Sequence, residues 1–187
     1  MKTHVLTVSR TFPKGHKKEG QSTFFIEKIK YSLFNRKGSE GLFFTAGAFE
    51  KCYDCLEKIH TCRSNYPLWS KRIKEVQEGK AVLSLRYWEG KPYRSKQIEF
   101  FRLDKNSGIG IQELKFGYNS ELVKHEKYIN VITKPYVYEI DNLSEIYINS
   151  ETLAHDDGLM FEDFVNWFKN YKLNEPMAII HFTNFRY

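Results

Sequence analysis

Lys58, Thr61 and Arg63 stand in one short segment, Lys58-Ile59-His60-Thr61-Cys62-Arg63, with Asn65 just beyond it. Two cations flanking a hydroxyl, at the mouth of a helix expected from Asn65 onward, suit the capture of a phosphate or carboxylate. A helix N-terminus adds free N–H groups and the positive end of its dipole. In an extended chain Thr61 and Arg63 share a face, and Lys58 has the opposite parity. The three converge only if the chain bends near Lys58. The competing reading is a half-buried strand with solvated charges.

A second segment interleaves cations with rings: Lys80, Arg86, Lys91, Arg94 and Lys96 among Tyr87, Trp88 and Tyr93. Cations track phosphates and aromatic faces stack on bases, which is how single strands are held. The alternative is a solvated hairpin whose rings belong to the core. A third segment, Lys14-Gly15-His16-Lys17-Lys18-Glu19-Gly20, offers lysines and glycines to a phosphate but lacks the Gly-Lys-Ser/Thr ending of a P-loop. It reads equally as a mobile surface loop. Cys52-x-x-Cys55, Cys62 and His60 pose a metal question. One pair plus a cysteine in an expected strand falls short of the two spaced pairs of a structural zinc site, so no metal and no cofactor are expected. In His155-Asp156-Asp157-Gly158, two acids could orient a base or hold a cation, or simply form a turn. His181 reads as a core or cross-strand residue. Gly-x-Ser-x-Gly, dinucleotide, His-Glu-x-x-His and EF-hand signatures are missing, which removes support for most common enzyme classes.

The elements that must position these residues follow from periodicity. Val5–Ser9 is β-branched and reads as a first strand. Ser22 suits the cap of a helix to about Asn35, with Phe25, Ile29 and Leu33 on one stripe. A short strand at Leu42–Phe44 and a short helix at Phe49–Leu56 are weaker suggestions. Ile59–Arg63 reads as a strand. Asn65 caps a helix carrying Pro67, Trp69, Ile73 and Val76, and Gly79 ends it. Ala81–Trp88 alternates, and Tyr93–Leu103 is its antiparallel partner after the turn Glu89-Gly90-Lys91-Pro92. Ile109–Ile111 and Tyr136–Tyr138 suggest strands. Phe161, Phe164, Val165 and Phe168 mark a helix, and Met177–Tyr187 a closing strand. The fold class is α+β: a small mixed, mainly antiparallel β-barrel with flanking helices.

Composition bounds the rest. The 187 residues carry 41% hydrophobic and 16% aromatic side chains, which argues against disorder and allows a core without disulfides. A net charge of +6 is compatible with a polyanionic partner. No run approaches the ~20 apolar residues of a membrane span, and the start does not resemble a signal peptide, so a cytoplasmic protein without a membrane partner is expected.

Lys58-Ile59-His60-Thr61-Cys62-Arg63 resembles the Lys-x-x-Thr-x-Arg signature of ASCH domains, relatives of the PUA fold. The order of elements after it is similar too: a helix, the strands Ala81–Trp88 and Ser95–Leu103, and a late helix before the apolar Ala178–Phe182. The stretch from Lys58 to Gln97 also looks like proteins of gut Bacteroides and their phages. The resemblance implies a single PUA-like domain over 1–187. Its core would be about 1–35, 58–103 and 150–187, with insertions at about 36–57 and 104–149. It implies a cleft beside the motif and an RNA, single-stranded nucleic acid or modified-nucleotide ligand. Lys58, Arg63, Lys14, Arg86, Arg94 and Lys96 would meet phosphate or base edges, and Trp88 and Tyr93 would stack. Some members of the family are amidohydrolases on N4-acetylated cytidine. On that model Lys58 is the base, Thr61 the nucleophile and Asp157 the orienter, where the family carries Glu. A module for protein contact is the remaining expectation.

Overall fold

The computed structural model describes residues 1–35, 57–118, 135–140, 150–171 and 175–187. The suggested strand at 42–44, the suggested helix at 49–56, and Cys52 and Cys55 lie outside the described residues. In chain order the elements are β1 (Lys2–Thr7), α1 (Phe25–Asn35), β2 (His60–Ser64), α2 (Tyr66–Gln77), β3 (Ala81–Trp88), β4 (Gln97–Leu103), β5 (Gly110–Tyr118), β6 (Pro135–Ile140), α3 (Ser150–Asp156), α4 (Phe161–Phe168) and β7 (Met177–His181). The architecture is mixed α+β. No helix among the described residues is long and apolar enough to cross a membrane.

The described strands form two sheets rather than one closed barrel. One has the order β1-β3-β4, the other β2-β7-β5-β6. In the first, β1 runs parallel to β3 and β4 antiparallel to it. The second is antiparallel throughout. Closure requires a continuous hydrogen-bond ladder across every seam. Where β2 comes near β1, the link is a side chain instead: the Arg63 guanidinium donates to the Thr7 carbonyl at 2.9 Å. β5 comes from the segment expected to be an insertion, and it lies between β7 and β6.

Local signals explain most boundaries. The stripe Phe25, Ile29 and Leu33 is buried as its spacing requires. Its helix begins at Phe25, later than a cap at Ser22 would place it. Ser22 is engaged in a bridge to Thr11, and Phe24 kinks through φ 53°. Thr23 takes over at the start, its hydroxyl donating to Ser9 O at 2.8 Å and accepting from Phe25 N. Asn65 caps α2 as expected, its side chain accepting from Leu68 N at 3.1 Å.

β3 is the central strand of its sheet, so Val82 and Ser84 are buried together with Ala81, Leu83 and Leu85, and strict alternation is lost. Its partner starts at Gln97, not Tyr93. Residues 90–95 curl into a turn in which Ser95 Oγ accepts from Gly90 N and donates to Lys91 O, each at 2.9 Å. Tyr93 sits there at φ 61°. α3 was not legible in the sequence. The closing strand ends at His181, and the tail beyond it is stapled to the β4–β5 turn. Arg186 donates to Thr183 O at 2.8 Å and to Gly108 O at 3.0 Å, and Gln112 bonds both N and O of Tyr187.

Candidate functional site

Two places hold the residues that could do chemistry, one inside and one outside. The inner one is built on β2 and the turn after α3. His60 and Cys62 alternate with Thr61, so they share a face of the strand. That face meets Asp157, whose carboxylate Oδ1 accepts from the Cys62 backbone N at 3.0 Å. Lys58 reaches the same oxygen with Nζ at 2.9 Å and also donates to the Asp157 carbonyl. The pair is sealed: Lys58 is 1% and Asp157 3% exposed.

The lysine stem is held on every side. Its Nζ lies 4.3 Å from the centre of the Phe25 ring, and its backbone N donates to Ser32 Oγ at 2.9 Å. Gly158, at φ +77°, lies so close that an added Cβ would stand 3.0 Å from Lys58 Cβ. A second buried lysine, Lys28, donates to the Gly158 carbonyl at 2.8 Å. Burial holds the Lys58 ammonium below its ordinary pKa against the pull of Asp157. Desolvation works to raise the Asp157 carboxyl, but the Lys58 charge outweighs it, and it sits below its usual value. Burial first, and the Asp157 charge second, push the Cys62 thiol well up. His181, paired with His60 across β2 and β7, is fully buried, and desolvation pushes its pKa down to about 2.

Lys58 and Asp157 therefore meet. Thr61 does not join them: alternation turns it to the opposite face of β2, with Arg63. Among the described residues the Thr61 hydroxyl has no hydrogen-bond partner, while Arg63 is committed to the Thr7 carbonyl.

The outer place is the β3–β4 hairpin end. Trp88 and Tyr93 form a tilted ring pair with centroids 5.4 Å apart, and Tyr93 is 89% exposed. Lys91, Arg94 and Lys96 are exposed and make no ion pair among the described residues. Arg10, which sequence reasoning did not single out, belongs here. Its guanidinium lies 5.4 Å from the centre of the Tyr87 ring and donates to Glu89 O. Its distance in sequence from the hairpin hid it; the parallel pairing of β1 with β3 brings it close. Arg86 is less available, since its Nε donates to Ser84 Oγ at 2.7 Å and Glu99 lies 3.7 Å away. Lys80 pairs with Glu78.

The Lys14–Gly20 loop is docked on α4. Lys18 pairs with Asp163 at 2.7 Å, His16 stacks on Phe12 and bonds Asp163 O, and Lys169 donates to Gly15 O at 2.6 Å. Lys14 stays exposed on it without an ion pair among the described residues. A separate cleft of about 620 Å³ opens between the β4–β5 turn and the tail, lined by Leu33, Asn106, Ser107 and Phe182 to Phe185. None of the candidate catalytic or ligand-binding residues lines it. No family model, curated protein or solved structure matches the chain.

Proposed function

We propose that the chain is a binding module of the ASCH, PUA-like type for RNA, single-stranded nucleic acid or a modified nucleotide, with its main contact at the β3–β4 hairpin end. The observation that carries this is the pair of half-buried Trp88 and exposed Tyr93, with Arg10, Lys91, Arg94 and Lys96 in the same strand ends and turn. An exposed ring beside a half-buried one, with cations that make no ion pair among the described residues, matches the two needs of a single strand, stacking and phosphate neutralisation. Lys14, exposed on its own loop, is a further cation for phosphate. Lys58 and Arg63 serve the fold, since each is committed to an internal acceptor. On this reading 1–187 is one domain, and the two sheets joined at Arg63 and Thr7 stand for the pseudo-barrel.

Filter binding with short RNA and DNA oligomers across a salt series tests the proposal. Affinity is expected to fall as salt rises. In Lys91→Gln/Arg94→Gln/Lys96→Gln the slope of log K against log salt should flatten by about 2, at ~0.7 per phosphate contact on a single strand. Absence of binding at low salt, or binding indifferent to salt, contradicts it.

One observation favours a second reading, an amidohydrolase on N4-acylated cytidine. Lys58 is a desolvated amine beside a carboxylate, the setting in which a lysine becomes a base. Thr61 on the far face of β2 places this reading second. Incubation of the protein and of Lys58→Ala with N4-acetylcytidine decides it. Turnover lost in the variant supports hydrolysis; no turnover, or equal turnover in both, removes it.

A further inference from the structure

The interior cluster contains a donor set of which the second reading uses only Asp157. His60 Nδ1, Cys62 Sγ and an Asp157 carboxylate oxygen lie within 4.8 Å of one another, on three buried side chains. The His60 ring is 0% exposed, and its Nδ1 has no hydrogen-bond partner. The other ring nitrogen shows what Nδ1 presents. The Tyr187 hydroxyl donates to Asp156 Oδ2 at 2.8 Å, so its oxygen accepts from His60 Nε2 at 2.8 Å. Nε2 therefore carries the hydrogen, and Nδ1 offers a lone pair. That lone pair faces Asp157 Oδ1 at 3.5 Å, two acceptors with no hydrogen between them. A buried acceptor left so costs free energy, and a cation placed between the two removes the cost. The chain Asp156–Tyr187–His60 is also the kind of outer hydrogen bonding that fixes the ring of a metal-bound histidine.

We infer that His60 Nδ1, Cys62 Sγ and Asp157 form a binding site for a zinc-class divalent ion. Imidazole, thiolate and carboxylate are the donors zinc uses, and the thiolate disfavours magnesium and calcium. Tetrahedral bonds of about 2.0–2.3 Å set donor atoms roughly 3.3–3.8 Å apart, a range that already includes the His60–Asp157 separation. On binding, Cys62 releases its thiol proton to solvent and its sulfur gives an electron pair to the ion. His60 coordinates as the neutral ring and Asp157 as the carboxylate. The Lys58 ammonium, 2.9 Å from Asp157 Oδ1, competes with the ion for that oxygen. Three protein ligands leave one position of a tetrahedral ion unassigned.

The chain has three cysteines, so the variant Cys52→Ser/Cys55→Ser keeps Cys62 as its sole thiol. This full-length variant, stripped of metal, is titrated with cobalt(II). The expected result is one equivalent bound, with a thiolate-to-cobalt charge-transfer band and the visible absorption of a tetrahedral ion, both bleached by zinc. Cys62→Ser in the natural background should lack the band. Tyr187→Phe should bind cobalt about tenfold more weakly, as loss of an outer partner does. A band absent from the Cys62-only variant overturns the inference. So does a band in the natural chain that survives Cys62→Ser, because the thiolate would then be Cys52 or Cys55.

Discussion

Lys58→Met is expected to lower stability by about 3–5 kcal/mol, and Asp157→Leu by a similar amount. Each change leaves the partner charge buried without compensation, Asp157 in the first and Lys58 in the second. Neither can reach water, because their side chains are 2% and 5% exposed. Met is the informative replacement: it keeps most of the stem that packs beside Gly158 and removes the ammonium over the Phe25 ring, so the loss reports the charge more than a cavity. The double variant Lys58→Met/Asp157→Leu should lose far less than the sum, because no charge is then stranded. Asp157→Asn separates two contributions, since it can still accept from the Cys62 N–H but carries no charge. Urea unfolding of the four chains closes the cycle. Strict additivity would show that Lys58 and Asp157 do not depend on each other.

Trp88→Ala/Tyr93→Ala is expected to weaken the binding of short single-stranded oligomers by about 2–6 kcal/mol, at least about thirtyfold. Each ring is assigned one stacked base at ~1–3 kcal/mol. The salt slope should stay as in the natural chain, because the variant removes no cation. That is the opposite signature from Lys91→Gln/Arg94→Gln/Lys96→Gln, which flattens the slope. Tyr93 touches little of the fold, so Tyr93→Ala alone should shift stability by less than about 0.5 kcal/mol. Binding unchanged by the double variant would remove the hairpin as the proposed nucleic-acid surface. The cleft beside Asn106 and Phe185 would be the next place to look.

Much of the local structure was legible because short-range physics decides it. Asn65 caps a helix, Pro67 fits its first turn, and Gly79 ends it at φ 72°. The stripe Phe25, Ile29, Leu33 and the apolar Met177–His181 declared their burial by spacing and composition. The departures have two causes. Ser22 was drawn into a bridge with Thr11, and Arg186 tied the tail to Gly108, so a partner outside the local window overrode a local preference. Residues 90–95 instead closed a local turn, through Ser95 with Gly90 and Lys91, which delayed the start of β4.

The amino-acid order alone determined that Lys58 has the parity of His60 and Cys62 and that Thr61 and Arg63 have the other, since alternation is a property of any extended backbone. It also determined which residues could be cationic, aromatic or metal-binding. It could not show which face of β2 meets Asp157, because those residues are brought together by the docking of α3, far along the chain. Nor could it show that Arg63 spends its charge on a carbonyl of β1, that Arg10 joins the hairpin, or that the Lys58–Asp157 pair is sealed from water. Those are outcomes of long-range packing, which decides where a charge ends up and therefore whether it is free to bind or committed to holding the fold.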